Sequence, residues 1–131
     1  MSETHQLTDL QLAILRVLWE RGSATAADIT DALKSSRRLA QQTIATILSR
    51  LERRGIVRHE TRQRQYFYLP TVTESEVRRS MLSEFTDRLF EGDVAELVNH
   101  LLSSEEMSSG DLARVKKLIS SYESKRGRKA S

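Results

Sequence analysis

No cysteine occurs among the 131 residues, which excludes disulfides, thiolate zinc sites and thiol catalysis. A single proline and five glycines leave long stretches in which nothing interrupts a helix. No apolar run approaches the roughly 20 residues needed to cross a bilayer. Residues 1–20 lack a cationic segment followed by a long apolar one, so no secretory leader is expected, and the composition suits a soluble, cytoplasmic protein. The three histidines, His5, His59 and His100, stand too far apart for metal-ligand spacing. No nucleophile–base set and no glycine-rich phosphate loop is present. The reading is therefore of a protein without catalysis, metal or cofactor.

Charge is present in excess, and it is segregated. The net charge is only +3. Residues 37–64, however, hold eight arginines against Glu52 and Glu60, a net of +6. Residues 71–124 hold six basic and eleven acidic side chains, a net of −5, and residues 125–129 add +4. Such segregation points one region at a polyanion and another away from it.

Periodicity places the elements. Thr8-Asp9-Leu10-Gln11 has capping-box form and opens a first helix with apolar Leu10, Ile14, Leu15, Leu18 and Trp19, stopped at Gly22. Thr25-Ala26-Ala27-Asp28 opens a second, short helix carrying Ile29 and Leu33. A third, from about Ala40 to Arg54, turns Ile44, Ile47, Leu48 and Leu51 to one side and ends at Gly55. Its other side carries Gln42, Thr43, Thr46, Ser49, Arg50 and Arg53. Strands follow at 56–60 and 66–69, the second aromatic, with Thr61–Gln65 as a polar loop between them.

This order of three helices and a hairpin is that of a winged helix-turn-helix. The fold expected is mainly α with a small β-hairpin wing. Residues 1–71 form the winged domain, 72–124 a three-helix dimerisation region and 125–131 a disordered basic tail. In the middle part Val77, Met81, Phe85 and Leu89 recur every four residues. Leu97 and Leu101 mark the next helix, and Leu112, Val115 and Ile119 the last. These apolar faces exceed what one small domain covers, so a two-fold dimer is the simplest solution.

The expected DNA-contacting residues are Arg38, Gln41, Gln42, Thr43, Thr46 and Arg50 around the third helix, with Arg62 and Arg64 in the wing. Threonine and glutamine can meet base edges in a major groove, and arginine pairs with phosphate or enters a narrow minor groove. Arg53 and Arg54 either pair with phosphate or cap the helix against its dipole. Trp19 and the aromatic strand read as core, and the basic tail as solvated.

The run Thr43-Ile44-Ala45-Thr46-Ile47-Leu48-Ser49-Arg50-Leu51-Glu52-Arg53-Arg54-Gly55 resembles the penicillinase repressor family (BlaI/MecI/CopY type). Leu7–Gln11 and Val17-Leu18-Trp19 are similar to that family's opening, and the likeness runs from about Leu7 to Ile119. The resemblance implies a homodimeric repressor of inverted-repeat operators with TACA/TGTA half-sites, near genes for β-lactam resistance or copper handling. It also implies a membrane-bound sensor metalloprotease that relieves repression by cleavage. The chain departs from the family twice. It has no C-terminal cysteine pairs of the copper branch. Where protease-sensitive members carry an Asn-Phe bond, it reads Leu97-Val98-Asn99-His100-Leu101. The alternative function is a MarR-like or other winged regulator released by a small ligand.

Overall fold

The computed structural model describes residues 6–105 and 107–130. The elements are α1 (Asp9–Arg21), α2 (Ala26–Leu33), α3 (Gln41–Arg53), β1 (Val57–Arg62), β2 (Gln65–Pro70), α4 (Glu74–Phe90), α5 (Val94–Leu102) and α6 (Ser109–Ala130). They fall into two compact units, one ending at Glu84 and the other starting at Phe85, so that α4 runs across the division.

In the first unit local chemistry sets the helix starts. The Thr8 hydroxyl accepts from the Gln11 amide at 3.1 Å, and the Gln11 side chain accepts from the Thr8 amide at 2.9 Å. Thr25 and Asp28 repeat this box at 3.0 and 3.1 Å. Each box satisfies two amides that a helix start leaves without partners. The stripe Ile14, Leu15 and Leu18 of α1 then meets Ile29 and Leu33 of α2 and Ile44, Leu48 and Leu51 of α3 in one core.

α3 ends in a Schellman turn. Gly55, at φ 78°, lets the Ile56 amide reach back to the Leu51 carbonyl at 3.0 Å, with the Gly55 amide on Glu52 at 2.9 Å. A side chain at Gly55 would strain this left-handed position. The turn sends Ile56 and Val57 into the core, both nearly fully buried. β1 and β2 pair antiparallel from Val57↔Pro70 to Arg62↔Gln65. The strands are longer than the sequence suggests, and the connection is only Gln63 and Arg64 rather than five residues. Pairing persists through Thr61↔Tyr66 because the side chains on both faces hold it: Arg62 lies over the Phe67 ring at 5.0 Å, and His59 stacks on Tyr66 at 4.0 Å.

Two further ties fix the hairpin. Ala24, between α1 and α2, bridges to Tyr68 through hydrogen bonds of 3.1 and 2.8 Å. The Trp19 indole donates to the Val72 carbonyl at 2.9 Å, and Thr71 donates to the Gly55 carbonyl. Tyr68 is thus a core residue and Trp19 packs against the core, whereas Tyr66 of the same strand, expected as core, is exposed. β1 is also tied to α3: His59 Nδ1 lies 2.8 and 2.7 Å from the two Glu52 carboxylate oxygens.

α4 starts at Thr73, whose hydroxyl accepts from the Glu76 amide at 3.0 Å. Val77, expected in the dimerisation seam, is 1% exposed and belongs to the core of the first unit, with Met81 packed against it. A four-residue apolar repeat marks one helix face but not what covers it; the first turns of α4 cover the winged fold's own open side.

In the second unit α4 ends at Glu91 and Gly92, both at positive φ. Asp93 caps α5 and Ser108 caps α6. The Phe90 ring lies tilted against Phe85 at 6.3 Å and edge-on to His100 at 5.9 Å. Among the described residues of this unit only Thr86 is buried. The helix α6 continues to Ala130, so the segment expected as a disordered tail is helical as far as that residue. Lysine and arginine favour helices, and cations at a helix C-terminus suit its dipole.

Two outcomes check this packing. Val77→Ala lowers the stability of the winged unit by roughly 1–3 kcal/mol in urea unfolding, from two lost methyl groups plus the cavity left behind; a change within about 0.5 kcal/mol would remove Val77 from the core. A double-mutant cycle on Glu52→Gln and His59→Gln yields a coupling of roughly 0.2–1 kcal/mol, as befits a partly exposed pair. Strict additivity would show that the contact carries no energy.

Candidate nucleic-acid interface

α3 is anchored by Ile44, Leu48 and Leu51, each fully buried. That burial fixes which residues look outward. Gln42, Thr46, Ser49 and Arg53 follow one another in steps of four, three and four along the exposed side, with Arg50 four residues after Thr46 and Thr43 at one edge. Gln41 stands at the other edge. There it lines an open cleft of about 670 Å³ beside α2, together with Lys34, Arg37 and Arg38. The sequence-predicted residues of α3 are thus brought to one surface, except that Gln41 and Arg38 belong to the cleft at its flank.

The start of α3 differs from every other helix start. Thr8, Thr25, Thr73, Asp93 and Ser108 each accept a hydrogen bond from an amide of the helix that follows. Ala40 at the head of α3 has no side chain to do so. The Thr43 amide donates to the Ala40 carbonyl instead, at 3.0 Å, and the positive end of the helix dipole stands beside Arg37, Arg38 and Gln41. Such an end favours an anion.

Individual side chains have defined chemistry. The Thr46 hydroxyl donates to the Gln42 carbonyl at 2.9 Å. Its proton is used within the helix, which leaves a methyl group and oxygen lone pairs for an outside partner. Arg50 and Arg53 are exposed. Arg54 is exposed as well, and its guanidinium donates to the Gln6 carbonyl at 2.9 Å, which ties the N-terminal segment to the end of α3.

In the hairpin, Arg62 and Arg64 are both exposed. Arg64 is the second residue of the turn, at φ 66°, after Gln63 at 48°. Positive φ at both central residues is the geometry of a type I′ turn, which usually selects glycine, asparagine or aspartate. Arg62 pairs with Glu60 at 2.8 Å, and Arg58 reaches the same carboxylate at 3.3 Å. The Arg62 and then the Arg58 guanidinium hold the Glu60 carboxyl below its ordinary value of 4.5, so it is ionised near neutrality. The Tyr68 phenol is pushed above its ordinary value of 10.0 by burial and then by the Glu52 carboxylate, and stays neutral.

Glu60, Arg58 and the Glu52–His59 pair were not singled out in the sequence. Arg58-Arg62 spacing around Glu60 was legible, because residues two apart on a strand share a face. The Glu52–His59 pair depends on the angle of the turn at Gly55 and has no local signature.

Residues 7–121 match the family model described as Penicillinase repressor. The penicillinase repressor of Bacillus licheniformis is 21% identical over 126 residues, covering 96% of this chain and 98% of that protein. The methicillin resistance regulatory protein MecI of Mammaliicoccus sciuri is 19% identical over 118 residues, covering 90% and 96%. Among solved structures, the DNA-binding domain of the repressor BlaI is similar with a TM-score of 0.50 and 28% identity, over 58% of this chain and 93% of that one. The family model spans α1 through most of α6, and the likeness to the BlaI domain adds an independent match to the winged fold; on this evidence the chain belongs to the penicillinase repressor family.

Proposed function

We propose that the chain is a transcriptional repressor that binds an inverted-repeat operator as a homodimer and blocks transcription by occupying the promoter. The observation that carries the reading is α3. One side is locked into the core, the other offers Gln42, Thr43, Thr46 and Arg50, and its uncapped, arginine-flanked start favours a phosphate. Thr46 and Thr43 address bases, with the Thr46 methyl suited to a thymine methyl. Arg38, Gln41 and Arg50 hold the backbone, and Arg62 and Arg64 extend the contact from the hairpin.

Dimerisation is supported by the second unit. Phe85, Leu89, Leu101, Leu112 and Ile119 are 39–60% exposed in the single chain. Helices this apolar and this uncovered call for a partner, and a second copy supplies a matching face. Leu97 and Val115, half-buried, complete that face. Two copies present two α3 helices, hence the inverted repeat, and TACA/TGTA half-sites are the sequences to try first. The names of the similar proteins, penicillinase repressor and methicillin resistance regulatory protein, support β-lactam-resistance-type or related stress genes as targets. A membrane sensor metalloprotease is the proposed partner in release, acting at a bond other than Asn-Phe, since residues 97–101 contain none.

In fluorescence anisotropy the protein prefers its inverted repeat over unrelated duplex by about 10³-fold or more, and binding weakens steeply with salt. Equal affinity for both at moderate salt would end the reading. Arg50→Ala weakens all sequences alike and flattens the log–log salt slope by about 0.9, whereas Thr46→Ala shifts preference among bases at one position of each half-site. Light scattering gives a mass of about 30 kDa, twice the chain's 15.0 kDa. Leu101→Glu with Ile119→Glu reduces it to one chain while leaving the winged unit's unfolding midpoint in place; an unaltered dimer would exclude this surface as the interface.

A further inference from the structure

The hairpin's outer face carries a charge arrangement of which the DNA-binding reading above uses only Arg62. Arg58, Glu60 and Arg62 occupy alternate positions of β1 and so share one face with their cross-strand partners Leu69, Phe67 and Gln65. The opposite face holds buried Val57 and Tyr68, with His59 turned to α3. The arginine face is therefore the one away from the core. Its side chains remain 54%, 40% and 48% exposed at Arg58, Glu60 and Arg62.

Glu60 divides its carboxylate between the two arginines. One oxygen meets Arg58 Nη1 at 3.3 Å and the other meets Arg62 Nη2 at 2.8 Å. The Phe67 ring, directly across from Glu60, lies under the Arg62 guanidinium at 5.0 Å. Arg62 is thereby held from two sides and Arg58 from one. A carboxylate and a phosphate compete for the same guanidinium N–H donors. A fixed negative charge between two arginines also repels an approaching phosphate. Three charged residues that would present +2 without Glu60 present +1 with it.

We propose that Glu60 is an intramolecular competitor for DNA phosphate: it occupies Arg58 and Arg62 and so holds down the sequence-independent affinity of the hairpin. This rests on the DNA-binding reading above. The residues of α3 that address bases are untouched by it, so Glu60 sets how strongly the protein grips any DNA and not which sequence it reads.

Glu60→Gln keeps the shape of the side chain, removes its charge and, being exposed, leaves the fold intact, which a thermal melt checks. Binding to an unrelated 20-base-pair duplex and to the inverted repeat is measured by anisotropy across a salt series. The expected result is about 3- to 10-fold tighter binding of the unrelated duplex, with a log–log salt slope steeper by about 1–2 as one or two arginines take up phosphate. Adding Arg58→Gln and Arg62→Gln abolishes the gain. Unchanged or weaker binding by Glu60→Gln, with wild-type binding intact, overturns the proposal alone. No DNA binding by the wild-type protein overturns it together with the reading on which it rests.

Discussion

The structure depends on the burial of one side of a thirteen-residue helix. Ile44, Leu48 and Leu51 of α3 are fully enclosed by α1, α2 and the root of the hairpin. An apolar side chain enclosed to this degree is worth roughly 1.5–3 kcal/mol over its exposed state. Three of them in register fix the rotation of α3 about its own axis. That rotation decides that Gln42, Thr46 and Arg50 look outward. Surface chemistry that has no stability role is thus positioned by core chemistry that has no binding role.

The same constraint propagates to the hairpin. Leu51 is at once the last core residue of α3 and the acceptor of the Ile56 amide in the Schellman turn. The turn sets the departure angle of β1, and the next two residues, Ile56 and Val57, return to the core. Glu52 and His59 then add a polar tie on the exposed side of the same corner. Helix and hairpin are one rigid surface because hydrophobic and polar contacts close the corner from both sides.

Much of this was legible in the sequence, and the reason is locality. Capping boxes at Thr8 and Thr25 and the glycine stop at Gly55 involve residues within five positions of each other. The exposed face of α3 follows from the helical period alone. What escaped prediction was non-local or lacked its usual chemistry. A two-residue turn built from Gln63 and Arg64 has no Asn-Gly or Asp-Gly signal, so the loop seemed longer than it is. The Ala24 bridge is one residue wide. Val77 shares a four-residue repeat with Met81, Phe85 and Leu89, yet the repeat passes from a residue enclosed in its own unit to residues open to solvent. The segment 125–130 has a composition that reads equally as a solvated tail and as the end of a long helix.

The bare head of α3 carries a thermodynamic consequence. Five helices serve an early amide with a side-chain oxygen; α3 turns its Thr43 amide to the Ala40 carbonyl and has no such side chain. An anion seated there would meet the positive end of the helix dipole and stabilise the first turn. Ordering of that turn and occupancy of the site are then linked quantities, and a bound ligand stabilises the folded state by mass action. The helix with the polar outward face is thus the one whose first turn a bound anion would stabilise.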